Sequence, residues 1–181
     1  MPKVFPLKLL DETILPVFLI FGAKIGGLLL ANIVFNLNWE PSFTQFSLST
    51  PFVRYLDPNS AQPARDVGTI AMFAAIAVGF GWVVFRAHEL HLAYLHPSII
   101  KKLFLAGKDK LLVDSFEIYH QAASWLALTW FVFIQSWLEV LSSNVSLAAF
   151  SFGASVVLTL NILLFLDLQR EALGSGKKIN Y

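Results

Sequence analysis

The stretch that decides the fold is Ile14–Phe35, ILPVFLIFGAKIGGLLLANIVF. It carries a single charged side chain in a run long enough to cross the roughly 30 Å hydrocarbon core of a bilayer as one helix. Small residues recur four apart along it, at Gly22 and Gly26 and again at Ala23, Gly27 and Ala31. Stripes of this kind let two helix backbones approach closely, so this face is expected to meet another helix instead of lipid.

Three further apolar stretches follow, at Val67–Phe85, Ala122–Leu141 and Leu147–Leu166. Of 181 residues, 56% are hydrophobic and 14% charged, well below the charged share of about 25% in soluble domains. Mean hydropathy is +0.66. The fold class is therefore all-α: a polytopic membrane protein with four transmembrane helices. Thirteen basic residues against twelve acidic ones leave a formal charge of +1, which creates no field to gather nucleic acid. There is no cysteine, so disulfides, thiolate nucleophiles, cysteine-ligated zinc and iron–sulfur clusters are excluded. Asp11 and Glu12 stand where a signal peptide would be basic, and no small-x-small site follows the first span. That segment is expected to remain in the mature protein.

Outside the spans, residues 1–10 read as a surface segment, with Asp11, Glu12 and Thr13 capping a helix that tolerates Pro16 in its first turn. Residues 37–66 contain Pro41, Pro51, Pro58 and Pro63 among several aromatics and read as an interfacial loop with one short helix. Asp66 is the expected cap of the second span, whose Ala75 and Gly79, and Ala77 and Gly81, form further small pairs. Nothing in FRAHELHLAYLH breaks a helix before Pro97, so the second helix is expected to run on to His96. A basic connection, 97–110, turns at Gly107. The third helix is expected to start at Leu111, ahead of its span, so that the second and third helices protrude together as a helical hairpin. A turn at Ser142–Asn144 and a polar tail, 167–181, complete the single domain.

Lys and Arg number ten beside the N-terminal segment, the 86–124 connection and the tail, against Arg54 and Arg65 on the other side. The bias places both termini and the protruding hairpin in the cytoplasm. The expected location is a bacterial or archaeal cell membrane.

All four histidines, His88, His91, His96 and His120, fall in the protruding segments. His88 and His91 share a helix face, as do Glu117 and His120. If Phe85 and Ala122 lie at one depth, residues whose numbers sum to about 207 are level, and the two pairs face each other. Imidazoles with a Glu-x-x-His could hold a metal ion, so His88, His91, Glu117 and His120 are the candidate ligands. Only one such motif is present, however, and ferritin-like sites use two plus further glutamates. Bis-histidine haem through His88 and His120, a proton relay, and a hydrogen-bonded hairpin that merely fixes register are the competing readings. The sequence singles out no cofactor.

Lys24 sits in the middle of the first span, where a cation is costly. Its level positions are near Ala75, Val132 and Val156, with no carboxylate among them; Ser155, Thr159, Asn161, Thr129 and Gln135 are the nearest polar side chains. The lysine is expected to snorkel, to be held by those groups, to meet an acid on another subunit, or to serve a transported species. Asn161, Thr159 and Ser155 read as hydrogen-bond glue between helices. Glu139 and Trp137, with Trp125 and Trp130, read as interfacial anchors.

These features favour an interaction or assembly subunit of a membrane complex over an enzyme. Gly22, Lys24, Gly26, Gly27 and Asn161 are its packing and docking residues. Its partners are lipid and other membrane subunits or further copies of itself, and not nucleic acid. The alternatives are a metalloprotein or redox enzyme built on the histidine cluster, and a small transporter or channel.

Overall fold

A computed structural model describes residues 5–43, 49–90, 95–108 and 115–176. Within them the chain is helical apart from one small hairpin: α1 (Phe5–Val34), β1 (Trp39–Pro41), β2 (Val53–Tyr55), α2 (Pro58–Glu89), α3 (Pro97–Leu105), α4 (Ser115–Leu141) and α5 (Leu147–Gly176). Four helices contain stretches long and apolar enough to cross a membrane: Thr13–Val34, Ala61–Glu89, Glu117–Leu141 and Leu147–Arg170.

The helices are longer than the apolar pattern alone implies. Helix α1 begins at Phe5 and runs unbroken past Asp11, Glu12 and the internal Pro16, so the expected cap is replaced by continuous helix. Proline inside a membrane helix is tolerated because neighbouring groups re-satisfy the freed carbonyl. Helix α2 begins at Pro58 and takes Pro63 and Asp66 into its body. The connection before it carries a β-hairpin, with Trp39 opposite Tyr55 and Glu40 opposite Arg54, and no helix among its described residues ahead of α2.

At the other end α2 stops at Glu89 instead of reaching His96. Residues 91–94 and 109–114, including His91 and the expected start of the third helix, lie outside the described residues. His96 instead caps α3: its Nδ1 accepts from the Ser98 backbone N–H at 3.3 Å, with Pro97 in the first turn. Helix α3 buries none of its residues and carries Ile99, Phe104 and Leu105 exposed beside Lys101 and Lys102. Such an amphipathic helix suits a membrane surface. The chain turns after it at Gly107, whose φ of +65° suits glycine. Helix α4 starts at Ser115, ahead of its apolar stretch, and α5 continues beyond its own through Asp167 and Arg170.

Helix α2 is the hub. Its Phe73, Ile76 and Phe80 are fully buried in a core shared with Ile20 of α1, Trp125 and Val132 of α4, and Val157 and Leu160 of α5. Backbones close up where glycine permits. A Cβ on Gly27 would stand 2.8 Å from Ala71 and 2.9 Å from the Val67 carbonyl, so α1 and α2 meet at the Ala23, Gly27 and Ala31 stripe. A Cβ on Gly79 would overlap the Trp125 ring, and one on Gly153 the Phe73 ring. Trp125 is thus a core residue of the α2–α4 contact, whereas Trp130 and Trp137 are exposed as anchors would be.

Candidate functional site

Polar side chains collect in two layers, one at each end of the bundle. In the layer nearer the β-hairpin, Lys24 Nζ donates to Glu139 Oε1 at 3.2 Å, and the Gln135 side-chain amide donates to the same oxygen at 3.2 Å. The side chains of Lys24 and Glu139 are 3% and 6% exposed. The expectation that Lys24 has no carboxylate in reach is therefore corrected. Depth counted along helix axes ignores the lysine stem, which carries the ammonium toward the hairpin end, where Glu139 turns inward instead of lying at the interface. The pair is satisfied within this chain, and no acid from another subunit is needed for it.

Among the described residues, the second Glu139 oxygen and the hydroxyls of Thr69, Thr129 and Ser136 are buried without a hydrogen-bond partner. A cavity of about 170 Å³ opens between α1 and α4, walled by Ile20, Phe21, Met72, Leu128 and Val132 and reaching Lys24 and Gln135.

The same layer ties the hairpin-end connections together. Tyr55 Oη donates to Asn32 Oδ1 at 2.9 Å, and burial pushes the Tyr55 phenol above its ordinary pKa. Arg65 Nη1 donates to Asn144 Oδ1 at 2.6 Å. Asp66 accepts from the Ser146 backbone N–H at 2.7 Å, and the Ser146 hydroxyl accepts from Ala149 N–H at 3.2 Å. Asp66 therefore supports the start of α5 from across the bundle, in place of capping its own helix.

In the opposite layer, the expected depth register between the second and third helices is seen: Arg86 Nη1 donates to Gln121 at 3.2 Å, Glu117 lies 3.8 Å from Arg86, and Ala87 packs on Ile118. The residue of α2 that faces α4 is, however, Arg86. His88 lies two residues on, about 200° around the helix, and faces α5. Arg170 Nη1 is 3.2 Å from both of its ring nitrogens, and Asp167 Oδ1 is 3.8 Å from Nδ1. The expected meeting of His88 with Glu117 and His120 is replaced by these α5 contacts. Among the described residues no three His, Asp or Glu side chains are placed to hold a metal ion.

The glycines divide by face. Gly27 is consumed inside the bundle, whereas Cβ atoms on Gly22 and Gly26 would meet nothing within 4 Å. Asn161, read as glue between helices, donates to Val157 O in its own helix at 2.8 Å. Ser151, Ser155 and Thr159 likewise bond the carbonyl four residues back, so α5 satisfies these groups internally.

Sequence reasoning missed Asn32, Arg65, Glu139, Asp167 and Arg170 as members of these layers. For Glu139 a signal existed, since Gln135 precedes it by one helical turn and was already near Lys24 in depth. For the Arg65 to Asn144 contact, separated by 79 positions, none did. No protein-family model, curated protein or solved structure matches the chain.

Proposed function

We propose that this chain is an integral membrane subunit that docks onto other membrane-embedded chains, a second copy among them, through the outward face of α1. The observation that carries the reading is the division of the two small-residue stripes. One is used up against α2, while on the outside Gly22 and Gly26 leave a notch where a Cβ would meet nothing within 4 Å among the described residues. Exposed Phe18, Leu29, Leu30 and Ile33 on the same helix make it an apolar surface suited to a bilayer or a helix within it.

The chain has no cysteine, so single Gly22→Cys or Gly26→Cys variants can be oxidised in native membranes without background. Crosslinked dimers, or a crosslinked heterologous chain, are expected from these positions and not from Phe165→Cys on α5. Absence of crosslinks, together with a monomeric mass in mild detergent, would refute the docking role.

A second reading, a small transporter, is supported by the Lys24 and Glu139 pair, because ionisable residues inside a membrane often mark ion or proton paths. It requires proton flux in liposomes that Glu139→Gln abolishes.

A further inference from the structure

At the end of the bundle away from the β-hairpin, α2 and α5 part to leave a cavity of about 330 Å³. Its floor is apolar, built from Val84, Leu163 and Leu166, and it opens past Gly81, where a Cβ would meet nothing within 4 Å. Its mouth is polar, formed by His88, Glu89 and Asp167, with Arg170 against the His88 ring. Asp167 is the informative member. Its side chain is only 7% exposed, and among the described residues Oδ1 makes no hydrogen bond; His88 Nδ1 stands 3.8 Å from it.

A buried carboxylate oxygen without a donor is costly, and the groove lies where a membrane-spanning helix leaves hydrocarbon. The molecule that suits it has an apolar tail for the floor, a hydrogen-bond-donating cation for Asp167 and Glu89, and an anion for Arg170. A choline headgroup has the charge but no N–H to donate. A glycerol headgroup has the phosphate but no cation. An ethanolamine headgroup has both a primary ammonium and a phosphate.

We propose that the groove between α2 and α5 is a binding site for an ethanolamine phospholipid. Its ammonium donates to Asp167 and lies by Glu89, its phosphate meets Arg170, and one acyl chain runs along Val84, Leu163 and Leu166 past Gly81.

The test is native mass spectrometry of the full-length, delipidated protein titrated with phosphatidylethanolamine, phosphatidylcholine and phosphatidylglycerol of identical acyl chains. The ethanolamine lipid is expected to bind roughly tenfold more tightly than the other two, the scale of one charge-assisted hydrogen bond. Asp167→Asn is expected to bring it down to the level of the choline lipid. Gly81→Leu, which fills the groove without touching the headgroup partners, is expected to weaken all three. Glu89→Gln, at an exposed position, lowers the preference in part and serves if Asp167→Asn fails to fold. Equal binding of the three lipids, a preference for the glycerol lipid, an undiminished preference in Asp167→Asn or Glu89→Gln, or unchanged binding in Gly81→Leu would each overturn the assignment.

Discussion

Lys24 Nζ and Glu139 Oε1 meet at 3.2 Å across 115 residues of sequence, each side chain almost sealed from the surroundings. The contact binds the middle of α1 to the hairpin end of α4. Desolvating two charges offsets much of their attraction, so the pair adds little net stability while punishing the loss of either member. Lys24→Met or Glu139→Leu alone is expected to cost about 3 to 5 kcal/mol, and the double variant to recover most of it. Thermal unfolding in detergent of the three variants measures this; additive single costs would contradict it. The exposed Glu40 and Arg54 pair, at 3.5 Å, provides the contrast: its removal is expected to change stability by less than about 1 kcal/mol.

The glycine notches predict a sharp difference among chemically similar substitutions. Gly79→Ala and Gly153→Ala force the Trp125 and Phe73 rings out of their seats and are expected to destabilise by roughly 1 to 3 kcal/mol. The Cβ of Gly22→Ala meets no other element among the described residues within 4 Å. It is expected to leave the unfolding of the isolated protein unchanged while weakening any assembly formed through α1, as read by unfolding and by mass in mild detergent.

Removing the Asp66 carboxylate takes away the acceptor that holds the Ser146 backbone N–H at the start of α5. Asp66→Ala is expected to cost about 1 kcal/mol, the usual scale for a lost cap. Amide exchange is expected to speed up at Ser146 and its neighbours in the first turn of α5 and to stay unchanged near Asn161; uniform exchange changes would contradict a local role.

Tyr55 gives a pH dependence of determined sign. Burial raises its phenol pKa, so the folded chain holds this proton more tightly than the unfolded chain does. The associated stability is complete below the unfolded value of about 10 and is lost as pH rises through the higher folded value. Tyr55→Phe removes the bond to Asn32 and is expected to cost about 1 kcal/mol at neutral pH. It should also flatten the alkaline fall in melting temperature relative to the parent; parallel curves would refute the assignment.

The four spans were legible because hydrocarbon accepts little besides long apolar helices, and that requirement is written in residues 14–35 as plainly as anywhere. The level relation between α2 and α4 was legible for the same reason, since rise per residue is fixed, and Arg86 does stand level with Gln121. Helical phase was not. Whether Arg86 or His88 turns toward α4 depends on which apolar residues win the core, and Phe73, Ile76 and Phe80 settle that with all four helices in place. Side-chain reach was also hidden, which is why Glu139 went unpaired with Lys24. The polar residues of α5 carry no mark in sequence that distinguishes bonding within a helix from bonding across helices, and the Asn161 amide donates within its own helix.

The two rings seated on glycines have a mechanical consequence. Trp125 of α4 is lodged in α2 at Gly79, and Phe73 of α2 is lodged in α5 at Gly153, so three rods are pinned lengthwise by bulky pegs in matching notches. Sliding α2 like a piston past either neighbour would drive a ring into backbone at once. Any lengthwise shift among α2, α4 and α5 must therefore first lift these two rings out of their seats.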